Sequence, residues 1–170
     1  MPQSANTGRL FLALWPDDHL RAALVAHQAA WAWPPAARLT PPEDLHLTLH
    51  FIGAVPVDRL DEIAAGLALP ALRVELALSQ AVLWPGGLAM LVSVDVTSSL
   101  CTVHADLAHA LRRLDLPVEA RRYQPHVTLA RRAARHVYRG KTTCRSSDQS
   151  YVLAMRDGAH YTVLRRYGDP

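Results

Sequence analysis

Apolar residues recur along the chain in two rhythms, and the switches between them outline its elements. Arg9 to Trp15 is a short apolar run halted by Pro16, the pattern of a buried strand. Asp17 is placed to cap a helix running to about Trp31, with Asp18 in its first turn. Leu20, Leu24 and Gln28 share one face of that helix, and five alanines between Ala22 and Ala30 favour the helical state. Pro34, Pro35, Pro41 and Pro42 exclude a helix from Trp33 to Asp44, which reads as a loop. Leu45 to Gly53 returns to alternation. Leu45, Leu47, Leu49 and Phe51 lie on one face, and His46, Thr48, His50 and Ile52 on the other.

Helical spacing resumes from about Asp58 to Leu69 through Leu60, Ile63, Ala64 and Leu67. Leu72 to Trp84 and Leu88 to Val96 read as two strands joined at Pro85-Gly86-Gly87. Ser98 or Ser99 caps a helix through Leu100, Val103, Leu107, Ala110, Leu111 and Leu114, ending before Pro117. His126 to Arg131 is a strand with His126 and Thr128 on one side and Val127 and Leu129 on the other. Ala133 to Ser150 is basic and polar, a loop or a short helix. Tyr151 to Arg156 and His160 to Tyr167 form a hairpin across Asp157-Gly158. Strands and helices mixed with hairpins, and few obligatory parallel crossovers, predict an α+β fold.

Composition narrows the class. At 170 residues, 50% hydrophobic and 19% charged, the chain can build a real core and is not a disordered sequence. Its apolar runs fall far short of the roughly 20 residues that cross a bilayer. The start MPQSANTGR lacks the pattern of a secretory signal. Cys101 and Cys144 fit neither a disulfide framework nor a zinc spacing. A soluble cytoplasmic protein is the expectation, with no membrane partner and nothing demanding more than a monomer. The charge is uneven. Arg112 to Arg145 holds ten basic residues against Asp115 and Glu119, a net of +8, so the remainder carries −5 to give +3 overall. Such a segment suits phosphates or nucleic acid, or is the solvated face of an arginine-rich protein.

The candidate chemistry lies in a repeated pattern. His46-Leu47-Thr48-Leu49 and His126-Val127-Thr128-Leu129 stand 80 residues apart, each in a predicted strand. Residues two apart on a strand share a face, so each segment offers an imidazole beside a hydroxyl. Two such strands facing one cleft are equipped for in-line displacement at phosphorus. One neutral imidazole takes a proton from water, and the other, protonated, gives one to the departing oxygen. The hydroxyls of Thr48 and Thr128 hydrogen-bond the nonbridging oxygens.

With these motifs the sequence resembles the RNA 2′,3′-cyclic phosphodiesterases, or 2′-5′ RNA ligases, of the 2H phosphoesterase superfamily. The resemblance is carried by Arg9 to Trp15, Asp44 to Gly53, Tyr123 to Arg131 and Gly158 to Tyr167. It implies a single domain over residues 1–170 made of two interleaved lobes. These form a pseudo-twofold arrangement of antiparallel sheets flanked by helices, with the active cleft between the lobes. It implies hydrolysis of 2′,3′-cyclic phosphate ends of RNA or nucleotides to 2′-phosphomonoesters, with 2′-5′ RNA ligation as the reverse-type reaction, and calls for neither metal nor cofactor. By position His46 resembles the general acid and His126 the base. Thr48 and Thr128 match the phosphate-binding hydroxyls, and Arg131 a basic residue after the second motif. Phe11, on a strand that borders the cleft in the family, is placed either to stack on a base or to pack in the core.

Two rivals stand beside this reading. A metal-dependent phosphoesterase would use His46 and His50, four apart, but in a strand that spacing separates them by about 13 Å. A non-catalytic RNA-binding module would explain the basic segment but has no use for two titratable groups in opposed roles. No glycine-rich phosphate loop supports an ATP-dependent reaction. The other histidines, His50 and His104 among them, read as surface or structural.

Overall fold

The strand–helix order read from the sequence is what forms across residues 6–70, 73–133 and 143–168, which the computed structural model describes. In chain order the elements are β1 (Thr7–Leu14), α1 (Asp18–Ala29), β2 (Arg38–Leu39), β3 (Leu47–Pro56), α2 (Leu60–Gly66), β4 (Val74–Leu78), β5 (Gln80–Trp84), β6 (Leu88–Val92), α3 (Ser98–Arg113), β7 (His126–Arg131), β8 (Cys144–Gln149), β9 (Tyr151–Asp157) and β10 (His160–Tyr167). The fold is α+β. One antiparallel sheet runs β10-β9-β1-β3-β7-β6-β5, with β2 added along β7, and β4 and β8 form a separate ribbon. Among the described residues no helix is long and apolar enough to cross a membrane.

The two halves of the chain are built alike. Asp17 caps α1 by accepting from the Leu20 amide at 2.7 Å, and Thr97 caps α3 by accepting from the Leu100 amide at 3.3 Å. Each cap satisfies an amide that the first helical turn leaves unpaired, worth about 1 kcal/mol. Positions 17 and 97 are separated by the offset that relates the two His-x-Thr segments. It also separates Leu47 from Val127, the partners that join β3 to β7. A repeat whose offset matches its own cross-strand pairing places a local twofold at that pair.

β1 separates two apolar layers. Leu10, Leu12 and Leu14 enter the main core with Leu20 and Leu24 of α1 and Leu100, Val103 and Leu107 of α3. Phe11, Ala13 and Trp15 form a smaller cluster with Val152 and Ala154 of β9 on the opposite face. The helices thus cover one side of the sheet and leave the other for the cleft.

Several expectations need correction. The loop from Trp33 to Asp44 contains β2 and a 3-10 turn over Pro42–Asp44. The run from Leu72 to Trp84 breaks at Ser79 into β4 and β5, which join different sheets. The α3 cap is Thr97, not Ser98 or Ser99, and Ser99 Oγ instead accepts from the Glu75 amide. The predicted helix from Asp58 is a 3-10 turn followed by the short α2. Ala133 to Ser150 contains β8, while positions 134–142 lie outside the described residues.

The most consequential correction is in β3. Its pairing with β1 slips twice, leaving Leu49 and Ile52 as extra residues. The slip at Leu49 interrupts the alternation, as an inserted residue must. His50, opposite Leu12, turns to the helix side and is 3% exposed, while Phe51, opposite Phe11, turns outward and is 51% exposed. The sequence pattern places both on the reverse faces.

Gly87 shows where a side chain is excluded. Its φ is +77°, and a Cβ there would stand 3.0 Å from the Ala133 nitrogen, whose N–H donates to the Gly87 carbonyl at 2.9 Å.

Candidate active site

A cleft of about 630 Å³ opens on the helix-free face of the sheet, and His46, Thr48, His126, Thr128 and Arg131 all line it. Antiparallel pairing centred on Leu47 and Val127 sets Thr48 across from His126 and His46 across from Thr128. Each imidazole therefore has one hydroxyl on its own strand and another on the facing strand.

Both rings are fixed by the same device. His46 Nδ1 lies 2.6 Å from the Asp44 carbonyl, and His126 Nδ1 lies 2.8 Å from the Gln124 carbonyl. A carbonyl only accepts, so each Nδ1 carries the hydrogen and each Nε2 is left for chemistry. The carbonyl comes from two residues earlier in both cases. The 3-10 turn over Pro42–Asp44 supplies it for His46, and Pro125 precedes the second ring.

The surroundings of the rings differ. His46 stacks on Trp15 at 5.3 Å and meets Phe11 at 5.2 Å and Tyr161 at 5.1 Å. Burial among these rings pushes the pKa of His46 down. The Asp44 carbonyl opposes this, while the nearby charges of His126 and Arg131 add to it. Among the described residues His126 leans on one ring, Trp84, at 5.4 Å.

The backbone behind the hydroxyls is tied down. Tyr123 donates its hydroxyl to the Thr48 carbonyl at 3.3 Å, and Thr40 donates its hydroxyl to the Thr128 carbonyl at 2.9 Å. Buried Gln28, on the α1 face read from the sequence, donates to the carbonyls of Thr40 at 3.0 Å and Leu129 at 2.7 Å. Phe11 packs at 3% exposure, and its ring borders the cleft.

His50 does not join His46. Its Nε2 meets the His104 carbonyl at 2.8 Å, and its ring stacks on His104, which stacks in turn on Tyr123. The bulge at Leu49 turns His50 to the opposite face from His46, in addition to the separation that a strand imposes. Among the described residues, no group of three or more His, Cys, Asp or Glu side chains is gathered to hold an ion.

Sequence reasoning missed much of the lining. Arg9, Arg38 and Arg156 join Arg131 in the cleft, and Phe51 and Tyr161 complete its aromatic wall. Among the described residues only Arg131 of these belongs to the basic segment, and Arg121 and Arg122 of that segment line a smaller cavity of about 220 Å³ beside His126. Clustering in sequence was a poor guide because strand pairing, not chain proximity, collects these charges. Alternation along β1 held a signal: Arg9 has the parity of Phe11, Ala13 and Trp15.

Comparison with known proteins now adds to the geometry. The family model described as the 2′-5′ RNA ligase superfamily matches residues 16–149. The chain belongs to that superfamily. The structure of Escherichia coli LigT complexed with 3′-AMP superposes with a TM-score of 0.82 at 23% identity, covering 95% of this chain and 97% of that one. LigT complexed with NADP+ gives 0.81 at 22%, covering 96% and 100%. TT0787 of Thermus thermophilus gives 0.66 at 23%, covering 93% and 96%. At these identities the likeness speaks for the fold, and it matches the α+β architecture over nearly the whole chain. No protein of curated function matches in sequence. Membership makes this chain an enzyme of the 2H phosphoesterase type.

Proposed function

We propose that this superfamily member hydrolyses 2′,3′-cyclic phosphate ends of RNA or nucleotides to 2′-phosphomonoesters without a metal ion, and that residues 1–170 act as one domain of two interleaved lobes. The observation that carries the reading is the matched pair of tethered imidazoles, each with an Nε2 free for proton transfer, across the Leu47–Val127 pairing.

In this mechanism the cyclic phosphate sits between the rings, its nonbridging oxygens held by Thr48, Thr128 and Arg131. His126 Nε2 takes a proton from water as the water oxygen bonds to phosphorus. The bond from phosphorus to the 3′ oxygen breaks, and His46 Nε2–H gives its proton to that oxygen. The 2′ ester survives. A bound anion favours the imidazolium, so substrate itself offsets the burial that lowers the pKa of His46. A 5′-hydroxyl attacking in place of water would leave a 2′-5′ phosphodiester, the ligation counterpart.

Incubation with 2′,3′-cyclic AMP, a chelator and no ATP tests the proposal. Adenosine 2′-phosphate is the expected product. No turnover, loss of activity with chelator, or the 3′ isomer would contradict it. A non-catalytic RNA-binding module would bind the oligonucleotide and leave the cyclic ester intact.

A further inference from the structure

We infer that the cleft contains a second anion position, formed by Arg9 and Arg156, that receives a phosphate on the 5′ side of the nucleoside whose 2′,3′ phosphate lies between the histidines. This rests on the proposed function for the identity of the reacting end.

Arg9 and Arg156 are direct cross-strand partners on β1 and β9, and both are exposed in the wall of the cleft. Like charges directly opposite on a sheet repel and destabilise it. Neither is relieved by a carboxylate. Among the described residues the ion pairs are Arg59–Glu62 and Glu119–Arg121, and Asp44 is the one acid lining the cleft. Arg156 is steadied by donating from Nε to the Gly158 carbonyl at 3.0 Å, which anchors one edge of its guanidinium on the hairpin turn. Two arginines paired across neighbouring strands in one cleft wall, with no carboxylate partner among the described residues, make a receptor for a phosphate, which each can bind through a planar fork of donors.

The position is separate from the reacting centre. A second pair, Arg38 and Arg131, faces across β2 and β7, on the strand that carries His126 and Thr128. Arg9 stands about 7 Å along β1 from Phe11, two residues away at strand rise, and the Phe11 ring is 5.2 Å from His46. Between the two anion positions the wall is aromatic: Phe11 with Tyr161 at 5.4 Å and Phe51 at 6.4 Å. The sequence of surfaces is charged, flat and apolar, then charged again. That order matches phosphate, nucleoside, phosphate. The ligand class is a nucleoside phosphorylated on both sides of its ribose, either the terminal nucleotide of an RNA strand or a free 5′-phosphorylated nucleotide.

Binding measurements test this independently of turnover. Affinities are compared for adenosine 2′-phosphate, adenosine 2′,5′-bisphosphate and a diadenylate ending in a 2′-phosphate. The bisphosphate should bind about tenfold to a hundredfold more tightly than the monophosphate, the worth of hydrogen bonds to a charged group. That ratio should fall toward one in Arg9→Gln and Arg156→Gln, both exposed positions whose substitution relieves repulsion and whose folding is checked by thermal melting. A diadenylate that matches the bisphosphate identifies the site as a reader of chain phosphodiesters, and a weaker one identifies a free 5′-phosphate. A ratio near one in the unaltered protein, or one unchanged in both variants, would overturn the inference. Failure to hydrolyse cyclic AMP would refute the proposed function and leave this binding test standing.

Discussion

The two His-x-Thr segments share a backbone and differ in solvent. Both put an imidazole at or just before a strand start, tie its Nδ1 to the carbonyl two residues back and set a hydroxyl two residues on. His46 is then enclosed by Phe11, Trp15 and Tyr161, while among the described residues His126 leans on Trp84. A near-symmetric scaffold fixes where the two rings stand, and the aromatic packing around His46 lowers its proton affinity. A repeated element gives the geometry, and the side chains packed around it give each ring a different setting.

The most severe way to break the pair is to remove a ring. His46→Ala or His126→Ala should each lower turnover of 2′,3′-cyclic AMP by roughly 10² to 10⁴-fold. A single variant with near-normal rates would move the site elsewhere. Next in size are the hydroxyls. Thr48→Val and Thr128→Val each remove a hydrogen bond to a charged phosphate, so kcat/KM should drop by about tenfold to a hundredfold. Equal losses would show that the twofold extends to phosphate binding, and a loss confined to one would show that it stops at the rings.

The packing difference can be tested without substrate. The ring of His46 should titrate below 6.5, because burial penalises its charged form. Trp15→Leu should move that titration upward, read by NMR of the ring protons, and Trp84→Leu should leave His46 where it was. A His46 titration indifferent to Trp15 would remove the claim that the aromatic enclosure sets its proton affinity.

The smallest effect concerns stability behind the cleft. Burial and the neighbouring His50 push His104 from 6.5 down to about 4, and burial also lowers His50. Between those two values the unfolded chain binds more protons than the folded one. Stability is therefore complete above about pH 6.5 and is lost as pH falls toward 4. Thermal midpoints should decline across that window, and His104→Phe, which keeps a flat ring against Tyr123, should flatten the decline. A midpoint that rises on acidification would reverse the sign and refute the reading.

Much of this was legible in the sequence, because local rules governed it. Asp17 announced its helix, Asp157-Gly158 its hairpin, and the strand from His126 to Arg131 its two faces. The motif pair was readable since a strand needs only period two to bring His and Thr together. What stayed hidden was set by partners distant in the chain. The bulge at Leu49 depends on the register with β1, so alternation alone put His50 on the face of His46 and Phe51 on the face of Leu47. Among the described residues the four cleft arginines sit on β1, β2, β7 and β9, and no local pattern links Arg9 to Arg156 or Arg38 to Arg131. The division of Leu72 to Trp84 at Ser79 likewise follows from β4 finding β8.

The most direct test of the central claim is the pH dependence of 2′,3′-cyclic AMP hydrolysis, measured in chelator for the unaltered protein, both single histidine-to-alanine variants and the double variant. Two rings acting as a unit predict a bell-shaped profile, loss of one limb in each single variant, and a double variant no slower than the worse single one. A profile that rises to a plateau without falling, or single losses that multiply in the double variant, would contradict the account.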